Sequence, residues 1–116
     1  MLSQTTLERY FEALGTQNGA VAASLFTEEG AIDDFRGNHH AGRAVIERFI
    51  NQVPPQRHEF PWPFVIGPQR GTVYGRIHFD GKESVLVRWV FSFGGGQIAH
   101  LCNSRIENVP AHLRSS

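Results

Sequence analysis

The 116 residues balance 11 Lys and Arg with 11 Asp and Glu and include a single cysteine, Cys102. That balance excludes the basic surplus a nucleic-acid partner requires, the lone cysteine excludes an intrachain disulfide, and no apolar run is long enough to cross a bilayer. One domain over residues 1–116 in the cytoplasm is expected, with no leader in Met1–Thr6 and little net charge to oppose self-association.

In chain order, Leu7, Tyr10, Phe11 and Leu14 fall on one face of a helix that Thr5 or Thr6 caps and Gly15 stops. Asn18 caps a second helical segment reaching Phe26, and Thr27–Gly30 reads as a turn. A short strand, Ala31–Phe35, leads into a polar loop containing His39 and His40. A third helix begins near Gly42, carries Val45, Ile46, Phe49, Ile50 and Val53, and ends at Pro54-Pro55. From His58 the apolar period changes to two, through Phe60, Trp62, Phe64 and Ile66; Pro61 and Pro63 mark this run as an edge strand or a bulge. Val73–Phe79 forms the next strand, and Asp80-Gly81 signals a hairpin. Strand Val85–Phe93 turns at Gly94–Gly96 into a last strand, Ile98–Glu107, and the tail from Pro110 is expected to fray.

Helices followed by an antiparallel meander give an α+β domain in which the sheet curls around the helices. The strand through Trp89 is apolar on both faces, with Val87 and Phe91 opposed by Leu86 and Val90. Helices cover one face; a second copy of the chain, forming a homodimer through the sheet, is the expected cover for the other.

The stretch Leu25-Phe26-Thr27-Glu28-Glu29-Gly30-Ala31-Ile32-Asp33-Asp34-Phe35, followed by Gly42-Arg43-Ala44-Val45-Ile46-Glu47-Arg48-Phe49, resembles the nuclear transport factor 2-like superfamily, in its SnoaL-like and steroid delta-isomerase branches. The resemblance runs from Leu7 to Val109. It implies a cone-shaped, cystatin-like α+β roll: three N-terminal helices packed on a curved, mostly antiparallel sheet enclosing a pocket. Activity does not follow from it, because the same frame carries isomerases, cyclases, hydrolases and binding domains. The steroid isomerases allow a closer comparison. Asp34 falls where they keep an Asp general base, and Tyr10 where they keep the Tyr that donates to the enolate oxygen; the spacing of 24 residues matches without a gap. Their protonated Asp is replaced here by Trp89, and a supporting Tyr by Ile50.

Strand alternation puts Asp34 on the Ile32 face and Asp33 on the other. If that face is interior, desolvation raises the Asp34 pKa into the range useful for proton transfer; the alternative is that the aspartates cap the following loop by accepting backbone N–H groups. Tyr10 lies on an apolar helix face, where its hydroxyl serves either a ligand or a core carbonyl. Trp89 is expected in the pocket wall. The resemblance favours an inward Leu101 and Asn103 face for the last strand, with His100 outside. Ile32, Phe49 and Ile50 complete the expected lining. His39-His40 does not make a metal site, since adjacent side chains diverge and no further ligand is suitably spaced. The expectation is therefore a small apolar, carbonyl-bearing molecule handled without cofactor or metal, Asp34 as base and Tyr10 as oxyanion donor in isomerase- or cyclase-type chemistry. The alternative is a non-catalytic ligand-binding or dimerisation domain whose cone is filled by aromatic side chains.

Overall fold

The computed structural model describes residues 4–114; Met1–Ser3, part of the segment read for a leader, and Ser115 and Ser116 of the tail lie outside the described residues. Helices α1 (Gln4–Gly15) and α2 (Gly19–Ser24) come first, then strands β1 (Phe26–Asp33) and β2 (His39–Ala41) and helix α3 (Arg43–Gln52). Strands β3 (Gln56–Glu59), β4 (Val65–Ile66), β5 (Arg70–Phe79), β6 (Val85–Gly94) and β7 (Gln97–Arg105) follow, and α4 (Ala111–Arg114) closes the chain. The strands form one curved, open sheet in the order β2-β1-β7-β6-β5-β3, with β4 also paired to β5. Among the described residues only β1 and β7 run parallel, and the other pairings are antiparallel. The three helices before β3 and the mostly antiparallel sheet give the expected α+β architecture.

The helix faces read from spacing are the buried ones. Leu7, Tyr10, Phe11 and Leu14 of α1 and Ile46 and Ile50 of α3 meet Val73, Val87, Trp89, Phe91, Ile98 and Leu101 of the sheet in one apolar cluster. Along β6, Val87, Trp89 and Phe91 are fully buried while Leu86, Arg88 and Val90 are half-buried, the period-two signature of a sheet with one packed face. Asn18 caps α2 by accepting from the Val21 N–H at 3.2 Å. Gly42 begins α3 at a φ of 91°, a conformation that a side chain disfavours.

Several local expectations are corrected. Helix α1 already includes Gln4, so Thr5 and Thr6 are first-turn residues and not caps. Phe26 starts a strand, and Thr27–Gly30 is a bulge within it: β1 pairs with β7 at Phe26↔Ile98 and again at Ala31↔His100, so four residues oppose one. The polar, glycine-ended composition that suggested a turn serves this bulge, whose Glu28 and Glu29 are exposed. His39 and His40 belong to β2, not to a loop. The long alternating run breaks into β3 and β4, because Pro61 and Pro63 have no N–H to give a ladder; β3 is a sheet edge as expected. The tail ends in a short helix anchored by buried Val109 and Leu113.

Helices α2 and α3 approach closely at Gly19, whose N–H donates to Asn51 Oδ1 at 2.8 Å. A Cβ there would stand 2.2 Å from the Glu47 carbonyl oxygen, and backbone yields little. Gly19→Ala is expected to destabilise the fold by about 1–3 kcal/mol, the usual range for overpacking, despite the better helix propensity of alanine. Urea unfolding measures this; an unchanged or higher midpoint would show that α2 is free to move away.

Candidate active site

One residue beyond β1, Asp34 anchors a tight loop. Its N–H donates to the Asn38 carbonyl and its own carbonyl accepts from Gly37, each at 3.0 Å. Its Oδ1 accepts the N–H groups of Arg36 and Asn38, both at 2.9 Å. The remaining oxygen, Oδ2, faces His40 Nε2 at 2.9 Å. Only 8% of the Asp34 side chain and 19% of the His40 side chain are exposed. The His40 ring stacks on Phe49 with centroids 3.9 Å apart.

Burial pushes the Asp34 pKa up, but the hydrogen bond from His40 and the two backbone N–H donors together outweigh it and hold the carboxyl below its ordinary value. The expected upward shift is corrected: three donors overcome the desolvation. An ionised Asp34 is a poor proton acceptor and a good orienter. With Oδ2 accepting, Nε2 carries the imidazole proton and Nδ1 keeps its lone pair, which makes no hydrogen bond among the described residues. The pair thus has the arrangement of a base and the carboxylate that positions it.

Beside the pair lies a cavity of about 260 Å3, walled by Leu14, Phe49, Ile77, Phe79 and Trp89, with polar groups from Asp34, His40, Gln52, Gln56 and Asn103. Trp89 Nε1 and Asn103 Oδ1 are buried and have no hydrogen-bond partner among the described residues. Each such orphan costs about 1–3 kcal/mol, and a bound molecule offering an acceptor or a donor would recover part of that.

Of the residues expected at the site, Asp34, Trp89, Asn103 and Phe49 line this cavity. Leu101 and Asn103 share the inward face of β7, paired with Phe91 and Trp89, and His100 lies outside, as expected. Ile32, Ile50 and Leu101 are fully buried in the core cluster and do not line the cavity. Tyr10 is also absent from the lining. Its ring lies edge-on to Phe11, Phe26 and Phe91, its hydroxyl is buried without a partner among the described residues, and burial pushes its pKa far upward. The pairing of Tyr10 with Asp34 that the resemblance implied is not made around this cavity.

His40 is the residue that sequence reasoning missed. Adjacent residues do diverge, but the strand pairing of β1 with β2 gives each histidine its own aspartate. Asp33 on the outer face meets His39 Nδ1 and His100 Nε2, both at 2.6 Å, while Asp34 takes His40. The spacing Asp33-Asp34…His39-His40 was the available signal. Among the described residues no group of three His, Cys, Asp or Glu is arranged to hold a metal ion, and no helix is long and apolar enough to cross a membrane.

No protein-family model and no curated protein matches this chain. Solved structures do match. A protein from Sphaerobacter thermophilus superposes with a TM-score of 0.84 at 22% identity, covering 93% of this chain and 99% of that one. An NTF2-like protein of unknown function from Cytophaga hutchinsonii gives 0.76 at 13% identity, covering 91% and 92%. A protein with a ketosteroid isomerase-like fold from Catenulispora acidiphila, solved in complex with trimethylamine, gives 0.74 at 15% identity, covering 84% and 82%. The fold is the NTF2-like, ketosteroid isomerase-like one that the sequence resembles. At these identities the likeness concerns the fold alone.

Two outcomes follow from these placements. Tyr10→Phe removes an unpaired buried hydroxyl and is expected to raise stability by about 1 kcal/mol; a loss in urea unfolding would show that the hydroxyl has a partner. His58, which faces Gln56 Oε1 at 2.9 Å, is held neutral by burial with its pKa lowered from 6.5 to about 4. The unfolded imidazole takes a proton below pH 6.5 and the folded one only near 4, so stability is complete above 6.5 and declines between these values. The decline should total at most about 3 kcal/mol. In His58→Phe that part of the pH slope should vanish, as unfolding at pH values from neutral to 4 would show.

Proposed function

We propose that this chain binds a small, largely apolar, carbonyl-bearing molecule in the 260 Å3 cavity and moves a proton on it without a cofactor. One observation carries the reading: a histidine with an unoccupied nitrogen, held by an ionised aspartate in the wall of an apolar cavity. His40 takes a proton from the carbon next to the carbonyl, and Asp34 stabilises the imidazolium that forms. Asp34, expected to be the base, becomes the positioning carboxylate. Trp89 and Asn103 supply polar groups toward the oxygen side in place of Tyr10; an Asn103 amide turned to present its NH2 would donate with the indole N–H to a developing enolate. Isomerisation of an enone is the specific form, and cyclisation is the related one.

The non-catalytic reading also has an observation behind it. The Asp34 carboxylate serves loop N–H groups, as a purely structural cap would, and aromatic rings fill part of the cone. In either reading a second copy covers the outer sheet face, where Tyr74, Leu86 and Val90 stand outside the core cluster.

Exchange of protons for deuterium next to the carbonyl of cyclic ketones and enones, followed by proton NMR, separates the two. Catalysed exchange that falls by about 10²–10⁴ in His40→Gln is expected. Ligand binding with exchange no faster than in buffer would leave the binding domain.

A further inference from the structure

Phe35, Arg36, Pro54 and Phe79 border both the cavity and an adjacent vestibule of about 520 Å3. The vestibule adds Lys82 and Arg105 as cations and Asp80 and Glu83 as anions. None of these charged side chains forms an ion pair among the described residues, whose ion pairs all join a histidine to a carboxylate. The two acids therefore do not neutralise the cations by contact, and the balance is three positive groups against two negative ones.

Position decides more than the count. Arg36 is the one full cation that borders the cavity itself. The only carboxylate bordering the cavity, Asp34, is saturated by three donors and offers little to a cationic ligand. The backbone of Arg36 is tied to Asp34 Oδ1, so the root of this cation is fixed relative to the His40–Asp34 pair. A molecule with its apolar body against Phe49, Ile77 and Trp89 would bring its outer end to Arg36.

We infer that the ligand of this cavity is a small organic acid, with an aromatic or alicyclic body inside and a carboxylate at the mouth held by Arg36. This rests on the small-molecule reading above and adds the chemical class. A planar guanidinium suits a carboxylate, which it can bind through two parallel N–H donors. Lys82 and Arg105 lie further out, where they would draw an anion toward the mouth over a range set by ionic strength.

The test compares cinnamate with cinnamamide, two probes of nearly the same shape that differ in charge, titrated into wild type and Arg36→Gln by calorimetry. Arg36 is exposed, so the variant should fold. At about 0.05 M salt the acid is expected to bind about fivefold more tightly than the amide, the scale of one exposed ion pair. That preference should fall to near unity in Arg36→Gln, and also in wild type at about 0.5 M salt, where screening is strong. Equal binding of both probes to wild type would overturn this inference and leave the small-molecule cavity standing. A preference that survives in Arg36→Gln would overturn the assignment to Arg36. Binding of neither probe would remove the small-molecule reading together with this one.

Discussion

The contact on which the arrangement depends is the one between Phe11 and Trp89. Their rings meet edge to face with centroids 4.9 Å apart, and Phe11 also touches Phe60 at 4.7 Å, Tyr10 at 5.5 Å and Phe91 at 5.9 Å. Such pairs add about 0.5–1.5 kcal/mol each beyond the area they bury. Their position matters more than that sum. The aromatic cluster packs between α1 and the sheet, and the cavity beside Asp34 and His40 lies where the β1–β2 loop and the C-terminal end of α3 converge. Trp89 belongs to both parts, packed on Phe11 and bordering the cavity.

The two aspartates are sent to opposite faces by strand parity. Successive side chains of a strand point to opposite faces, so the doublet Asp33-Asp34 sends one carboxylate out and one in. The doublet His39-His40 does the same, and the antiparallel pairing of β1 with β2 matches them face by face. On the outer face Asp33 is flanked by His100 and His39, whose hydrogen bonds hold its pKa below the ordinary value. On the inner face Asp34 meets one histidine and two loop N–H groups. The same residue types thus yield an exposed cluster on one side and a half-buried histidine–aspartate pair on the other.

Helices, strand order in sequence and core faces were legible because period alone reports them: the α1 and α3 stripes and the alternation through Val87, Trp89 and Phe91 need no tertiary information. Asp34 and Asn103 were read as lining from the family resemblance and not from period, and with Trp89 and Phe49 they border the cavity. What failed needed partners. Thr27–Gly30 has the composition of a turn, and only its pairing against β7 makes it a bulge. Tyr10 lies on the right face of α1, yet whether a buried tyrosine reaches a cavity depends on what its neighbours fill, and Phe11, Phe26 and Phe91 surround it. The sign of the Asp34 shift turned on counting donors that a linear sequence does not display.

The same donors explain how a carboxylate can be both a loop cap and a part of a site. Loop 34–38 is exposed at Arg36, Gly37 and Asn38, and its turn brings the Arg36 and Asn38 N–H groups onto one acceptor, Asp34 Oδ1. Accepting both fixes the carboxylate plane and leaves Oδ2 aimed at His40. A carboxylate without the loop bonds would be free to rotate, and its imidazole partner with it. Here the loop bonds hold the carboxylate, and the Phe49 ring stacked on His40 holds the imidazole. The loop cap and the contact with His40 are therefore two sides of one fixed carboxylate, which borders the cavity.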